Sequence, residues 1–174
     1  GGVRAVPVEI IAFNDFHGNL EGPKIALAMP DGQGGTVRVP AGGVAYLAGA
    51  IDWLRADHPN AVVVSAGDII SASPLTSALF LDEPTILAMN RIGVDFNAVG
   101  NHEFDRGRAE LLRMQNGGCE KNGPREPCQI DRPFPGARFR FLAANVLTES
   151  GATLFPAYGL RRFGSGRDAV TIGF

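Results

Sequence analysis

Histidine and cysteine are scarce in this sequence. Three histidines, His17, His58 and His102, and two cysteines, Cys119 and Cys128, are all that 174 residues contain. Neither cysteine has a further Cys or His beside it to complete a four-ligand zinc site. Long apolar runs are missing too, and no stretch approaches the ~18 residues of a membrane helix. The opening "GGVRAVPVEI" lacks the charged, apolar and small-residue segments of a signal peptide, although a removed signal would leave the same start. There is no basic stripe and no interleaving of aromatic and basic residues. The formal net charge of -2 comes from interspersed signs, which argues against a dedicated nucleic-acid surface. The Gly-rich stretch within "AMPDGQGGTVRVPAGG" has no following Gly-Lys-Ser/Thr, so it is not a P-loop. Internal repeats, low-complexity tracts and domain linkers are absent.

What is present suits one globular domain, since 45% of the residues are hydrophobic, enough to bury one core at this length. Cys119 and Cys128 lie in "NGGCEKNGPREPC", a polar loop bearing Gly and Pro, where a short disulfide can staple an excursion. Such a bridge implies an oxidising compartment.

Four segments, "VEIIAFND", "AVVVSAGD", "DFNAVGNH" and "FRFLAANV", are short, apolar and rich in branched or aromatic residues, and they read as buried strands. Val44, Leu47, Ile51 and Leu54 recur at helical spacing and predict a helix stopped by Pro59. A second helix runs through "EPTILAMNRIG", with Pro84 in its first turn and Gly93 closing it, and a third through "RAELLRMQNGG". The alternation predicts right-handed crossovers and a largely parallel sheet covered on both faces. "AMPDGQGGTVRVPAGG" reads as an inserted hairpin or mobile loop, and "DAVTIGF" as a strand paired with "YGLRRF" through "GSGRD". That last strand ends abruptly at Phe174, which predicts that the chain is the first part of a longer protein and leaves a strand edge through which copies could associate.

Parallel sheets host ligands outside the carboxyl ends of their strands. Three such exits carry polar residues: Asp15 and His17 in "NDFHGN", Asp68 in "SAGDII", and Asn101, His102 and Asp105 in "GNHEFD". If the backbone stays extended, Asp15 and His17 point to one side while Phe16 faces the core. Each residue alone also has a plain role. Asp15 and Asp68 suit turns or caps, and Asp105 suits the N-cap of the next helix. Glu103 reads as solvated, Phe104 as packed support, Asn14 and Asn19 as turn formers, and His58 as a helix-end surface residue at the opposite sheet edge.

Asp-x-His, then Gly-Asp, then Gly-Asn-His-Glu, each after an apolar strand, resembles the calcineurin-like metallophosphoesterases. "NDFHGN", "SAGDIISASP" and "GNHEFD" together look like the bacterial secreted 5'-nucleotidases, a family that includes bifunctional UDP-sugar hydrolases. The resemblance spans residues 8 to 174. It implies a layered αββα metallophosphoesterase-type fold, here only its N-terminal part, and a centre of two divalent ions such as zinc, manganese or cobalt. Asp15 and His17 would bind the first ion, Asp68 would bridge both, and Asn101 would bind the second and touch the substrate phosphate. His102, oriented by Asp105, would stabilise charge on the phosphoryl group or help the leaving oxygen. Two such ions, ~3.5 to 4 Å apart, activate a bridging hydroxide in line with the leaving group. The family also draws histidine and polar ligands from later strands, and its nucleotidases have a C-terminal substrate-binding domain. Neither is found within these residues, so the second ion is expected to be weakly held or missing here.

The resemblance therefore implies a periplasmic or secreted phosphoric ester hydrolase of nucleotide catabolism, acting on nucleoside 5'-monophosphates. A cyclic-nucleotide phosphodiesterase or nucleotide-sugar hydrolase would use the same centre. From another class, the chain could be a non-catalytic metal-binding or interaction fragment.

Overall fold

The computed structural model describes residues 5–22 and 26–174; residues 1–4, part of the stretch read for a leader, lie outside it. In chain order the strands are β1 (Glu9–Phe13), β2 (Ala26–Pro30), β3 (Thr36–Pro40), β4 (Ala61–Ser65), β5 (Phe96–Ala98), β6 (Arg140–Leu142), β7 (Leu160–Phe163) and β8 (Val170–Gly173). The α-helices are α1 (Val44–Ala56), α2 (Leu75–Ala78), α3 (Glu83–Ile92) and α4 (Gly107–Asn116).

The four anticipated strands form one parallel sheet in the order β1-β4-β5-β6. Each new strand is added on the same side of the previous one. Crossovers of a single hand then place every connecting helix on the same face. Accordingly Ile51 of α1, Ile86 and Met89 of α3, and Leu111 and Met114 of α4 share one core with Ile11, Val63 and Phe141 of the sheet. Burying each such side chain contributes about 1.5–3 kcal/mol. The helical spacing read in α1 has this cause: Val44, Leu47 and Leu54 pack against the same cluster, while Trp53 is exposed. Pro84 occupies the first turn of α3, and Gly93 closes it at φ 80°.

Both faces are covered, but by different means. On the side away from the helices, Val62, Phe96, Leu142 and Phe163 form a smaller cluster with Ile172 and Phe174. Its cover is the antiparallel β7–β8 hairpin, the pairing anticipated for "YGLRRF" and "DAVTIGF". The other hairpin, β2–β3, also forms in the Gly-rich insertion, and Asp31 closes its turn by accepting from the Gln33 and Gly35 N–H groups. Among the described residues no helix is long and apolar enough to cross a membrane.

Candidate metal centre

All the polar strand exits lie at the carboxyl edge of the parallel sheet. The loop after β1 runs along the loop after β4, with the N–H groups of Asp15, His17 and Gly18 donating to the carbonyls of Gly67, Asp68 and Ile69, each at 3.0 Å. This pairing replaces the extended backbone expected at "NDFHGN". Asp15 and His17 take left-handed conformations, φ 52° and 46°, as does Asp68 at 54°. Phe16 is nevertheless buried in the main core, as expected. Ser71, Ala72, Leu81 and Asp82 also have positive φ, so backbone strain is concentrated in the segments that bear the site.

The two site histidines are held from behind. The Nδ1 of His17 lies 3.0 Å from the Ser71 carbonyl, which can only accept, so Nδ1 carries the hydrogen and Nε2 keeps its lone pair in the neutral ring. An Asp15 carboxylate oxygen sits 3.6 Å from that Nε2. His102 Nδ1 is 2.8 Å from the Asp105 carboxylate. That hydrogen bond holds the His102 imidazole above its ordinary pKa; desolvation opposes it, and the charges of Asp105, Asp68 and Glu103 add to it. Asp105 is thus committed to His102 and does not cap α4, whose N-cap position falls to Arg106 with no side-chain capping bond.

The rings of His17 and His102 meet edge to face with centroids 4.9 Å apart, and the His102 backbone N–H donates to Asp68 Oδ1 at 2.9 Å. His17, Asp68 and His102 each offer one ligand atom, all within 4.8 Å of one another. Imidazole nitrogen together with carboxylate oxygen suits a divalent transition ion, and histidines fixed through their far nitrogens are the usual form of such ligands. Asp15 adjoins this trio through His17. Asn101 precedes it, exposed, at the start of the short 3-10 turn His102–Phe104.

Glu103 overturns the solvated reading of "GNHEFD". It is only 2% exposed. Its carboxylate accepts from the Asp68 and Ile69 N–H groups, both at 2.9 Å, and from the Gly100 N–H at 2.7 Å. Burial pushes the Glu103 carboxyl above its ordinary pKa, against these N–H donors, which favour the anion; the Asp68 charge adds to the rise. One side chain therefore ties the loop after β4 to the loop after β5. The contact is so close that a Cβ at Gly100 would lie 2.2 Å from Asp68 Oδ1, which is why glycine is needed there. The glycines were legible in the sequence, but which loops face one another was not. Two glycine-bearing loops facing one another present backbone N–H groups that need an acceptor, and Glu103 is the acid between them.

Asp82, likewise not anticipated, supports the other histidine. Fully buried, it accepts from Ser77 Oγ at 2.7 Å and the Ser71 N–H at 3.2 Å, and pairs with Arg106. His58 plays no part in the site. Its Nδ1 bonds the Leu54 carbonyl at the end of α1, the surface role expected of it. Asn19 closes its own turn through the Phe16 carbonyl.

Cys119 and Cys128 form the expected disulfide. The loop they close is anchored by a buried ion cluster in which Arg113 bonds Glu83 at 2.7 Å and Glu110 at 2.6 Å. The Cys128 N–H also donates to Glu83, and Asn122 to Glu110.

The family model described as calcineurin-like phosphoesterase matches residues 8–166. An uncharacterized protein in the pqq-V 5' region of Acinetobacter calcoaceticus is 58% identical over 90% of this chain and 79% of that protein. Endonuclease YhcR of Bacillus subtilis is 38% identical over 89% of this chain but 12% of that protein. The Haemophilus influenzae NAD 5'-nucleotidase is 31% identical over 87% of this chain and 21% of that protein. A solved structure of H. influenzae NAD nucleotidase superposes with a TM-score of 0.65 at 24% identity, over 94% of this chain and 25% of that one, a likeness of fold. The chain thus spans most of the first relative and a quarter or less of the others. With the family match covering nearly every residue from β1 to β7, the chain belongs to the calcineurin-like phosphoesterase family.

Proposed function

We propose that these residues are the metal-bearing part of an exported phosphoric ester hydrolase of 5'-nucleotidase type, with nucleoside 5'-monophosphates as substrates. The observation that carries this reading is the convergence of His17, Asp68 and His102 within 4.8 Å at the exits of three adjacent parallel strands. When bound, a pair of divalent ions supplies a water of lowered pKa and polarises the phosphoryl group.

The chain's own residues divide the remaining work. Asp15 and His17 would hold the first ion, the Asp68 carboxylate could serve both, and Asn101 would serve the second through a neutral carbonyl oxygen. Keeping Asn101 uncharged leaves the centre positive and attractive to a phosphate dianion. His102, fixed by Asp105, directs its Nε2 at the phosphoryl oxygens and stabilises the charge that develops there. The disulfide supports export to an oxidising compartment, periplasmic or extracellular.

Rates of the full-length protein on nucleoside monophosphates, cyclic nucleotides, nucleotide sugars and bis-p-nitrophenyl phosphate test the substrate assignment. Preference for the monophosphates supports it, and preference for a diester replaces it with a phosphodiesterase. A second assignment for His102, as a direct metal ligand, is favoured by its place in the trio. His102→Ala separates the two: metal retained with turnover lost supports the phosphate-facing role, and metal lost supports ligation.

A further inference from the structure

A cavity of about 460 Å³ lies beside the metal centre, between the end of α2, the start of α4 and the disulfide-closed loop. Its size falls in the ordinary range for small-molecule sites. The loop that walls it is held in place before any ligand arrives, by the Cys119–Cys128 bridge, by Asn122 bonding Glu110, and by Arg125 donating to the Ala78 carbonyl at 2.6 Å.

Two consecutive wall residues, Asp105 and Arg106, lead to the two site histidines by separate routes. Asp105 bonds His102 directly. Arg106 pairs with Asp82, Asp82 accepts from the Ser71 N–H, and the Ser71 carbonyl accepts from His17. The groups that orient both imidazoles are therefore exposed to whatever occupies this space.

The wall also states what would bind. Arg106 and Glu110 spend their charges on Asp82 and Arg113. Arg125 spends one N–H on a carbonyl and has further donors for an anion, while the second oxygen of Asp105 can accept from a hydroxyl. Ala78, Leu81 and Pro124 supply an apolar surface for the carbon skeleton. We propose that this cavity is a second ligand site for a small hydroxylated anion, a polyol carrying one carboxylate or phosphate, whose occupancy is transmitted to His102 and His17.

The test does not depend on hydrolysis. Full-length protein with 15N-labelled histidine, stripped of metal with EDTA, is titrated with gluconate, and the imidazole resonances of His102 and His17 are followed. The expected result is a saturable shift of both, lost in Arg125→Ala and not produced by sorbitol, which carries the hydroxyls without the anion. Arg125→Ala should keep the wild-type metal affinity, since Arg125 touches none of the proposed ligands, and a small fall in melting temperature would report only the lost bond to the Ala78 carbonyl. The same shift in Arg125→Ala, or no saturable shift in the wild type, overturns the proposal. To learn whether the natural occupant is a free effector or the distal part of a substrate, gluconate is added to the metal-loaded enzyme turning over p-nitrophenyl phosphate and, separately, a nucleoside monophosphate. Competition with the nucleotide alone identifies a substrate subsite, and an equal effect on both identifies an effector.

Discussion

Glu103 and Glu83 are both buried, 2% and 1% exposed, yet they are neutralised in opposite ways. Glu103, at the candidate metal centre, accepts from three backbone N–H groups and, among the described residues, has no cationic side chain bonded to it. Glu83, under the disulfide loop, is paired with Arg113, which also holds Glu110. The difference is one of task. Backbone dipoles stabilise the Glu103 anion without placing a fixed positive charge beside ligands that must attract cations. The Glu83 cluster has no such constraint, and an arginine fork can join α3, α4 and the loop at one point. One acid ties together two loops of the candidate site, and the other fastens a loop to the core.

If that contrast is right, removing the cation should cost most. Arg113→Ala strands two buried carboxylates and should lower stability by about 3–5 kcal/mol, read by urea denaturation, with little change in the metal affinity of the folded fraction. Replacing both cysteines with serine frees the same loop. For a bridge spanning nine residues the loss should be about 2–3 kcal/mol.

The Glu103 arm should behave differently. Glu103→Gln keeps the shape but turns an amide NH2 toward backbone donors, costing about 1–3 kcal/mol in stability. Because those donors belong to Asp68, Ile69 and Gly100, metal affinity should fall as well, by about 10–100-fold. If Arg113→Ala and Glu103→Gln reduced metal affinity equally, the division of labour would fail.

The smallest effect concerns pH. Burial raises the pKa of Asp82, but hydrogen bonds from Ser73, Arg106 and Ser77 and the Arg106 charge outweigh it, so the folded value lies below the ordinary 3.8. A depressed carboxyl contributes stability that is complete above its unfolded pKa and is lost as pH falls through the folded one. Asp82→Asn should therefore be less stable than wild type at pH 7, and the gap should close below about pH 4. A gap unchanged at pH 2 would show that Asp82 acts by packing alone.

Much of the fold could be read from the sequence because its signals are local. Four apolar runs, the stripe in α1, and Pro84 and Gly93 at the ends of α3 each depend on near neighbours. Both hairpins were marked by glycine between apolar strands. The candidate site residues were visible as types at strand exits, but their backbone was not. Alternation at Asp15 and His17 gave way to left-handed turns because their N–H groups found acceptors in the loop after β4, more than fifty residues away. Glu103 and Asp82 were hidden for the same reason. An acid in a polar run looks solvated until distant loops supply the donors that allow its burial.

The central claim is that Asp15, His17 and Asp68 hold a divalent ion and His102 faces the phosphate, in a centre that cleaves phosphate esters. The most direct measurement is metal content by mass spectrometry together with p-nitrophenyl phosphate turnover, in full-length wild type and Asp68→Ala. Loss of bound divalent metal and a fall in kcat/KM of about a hundredfold or more, with the metal-free protein still cooperatively folded, is the predicted result. Asp68→Ala that keeps both its metal and its activity would contradict it.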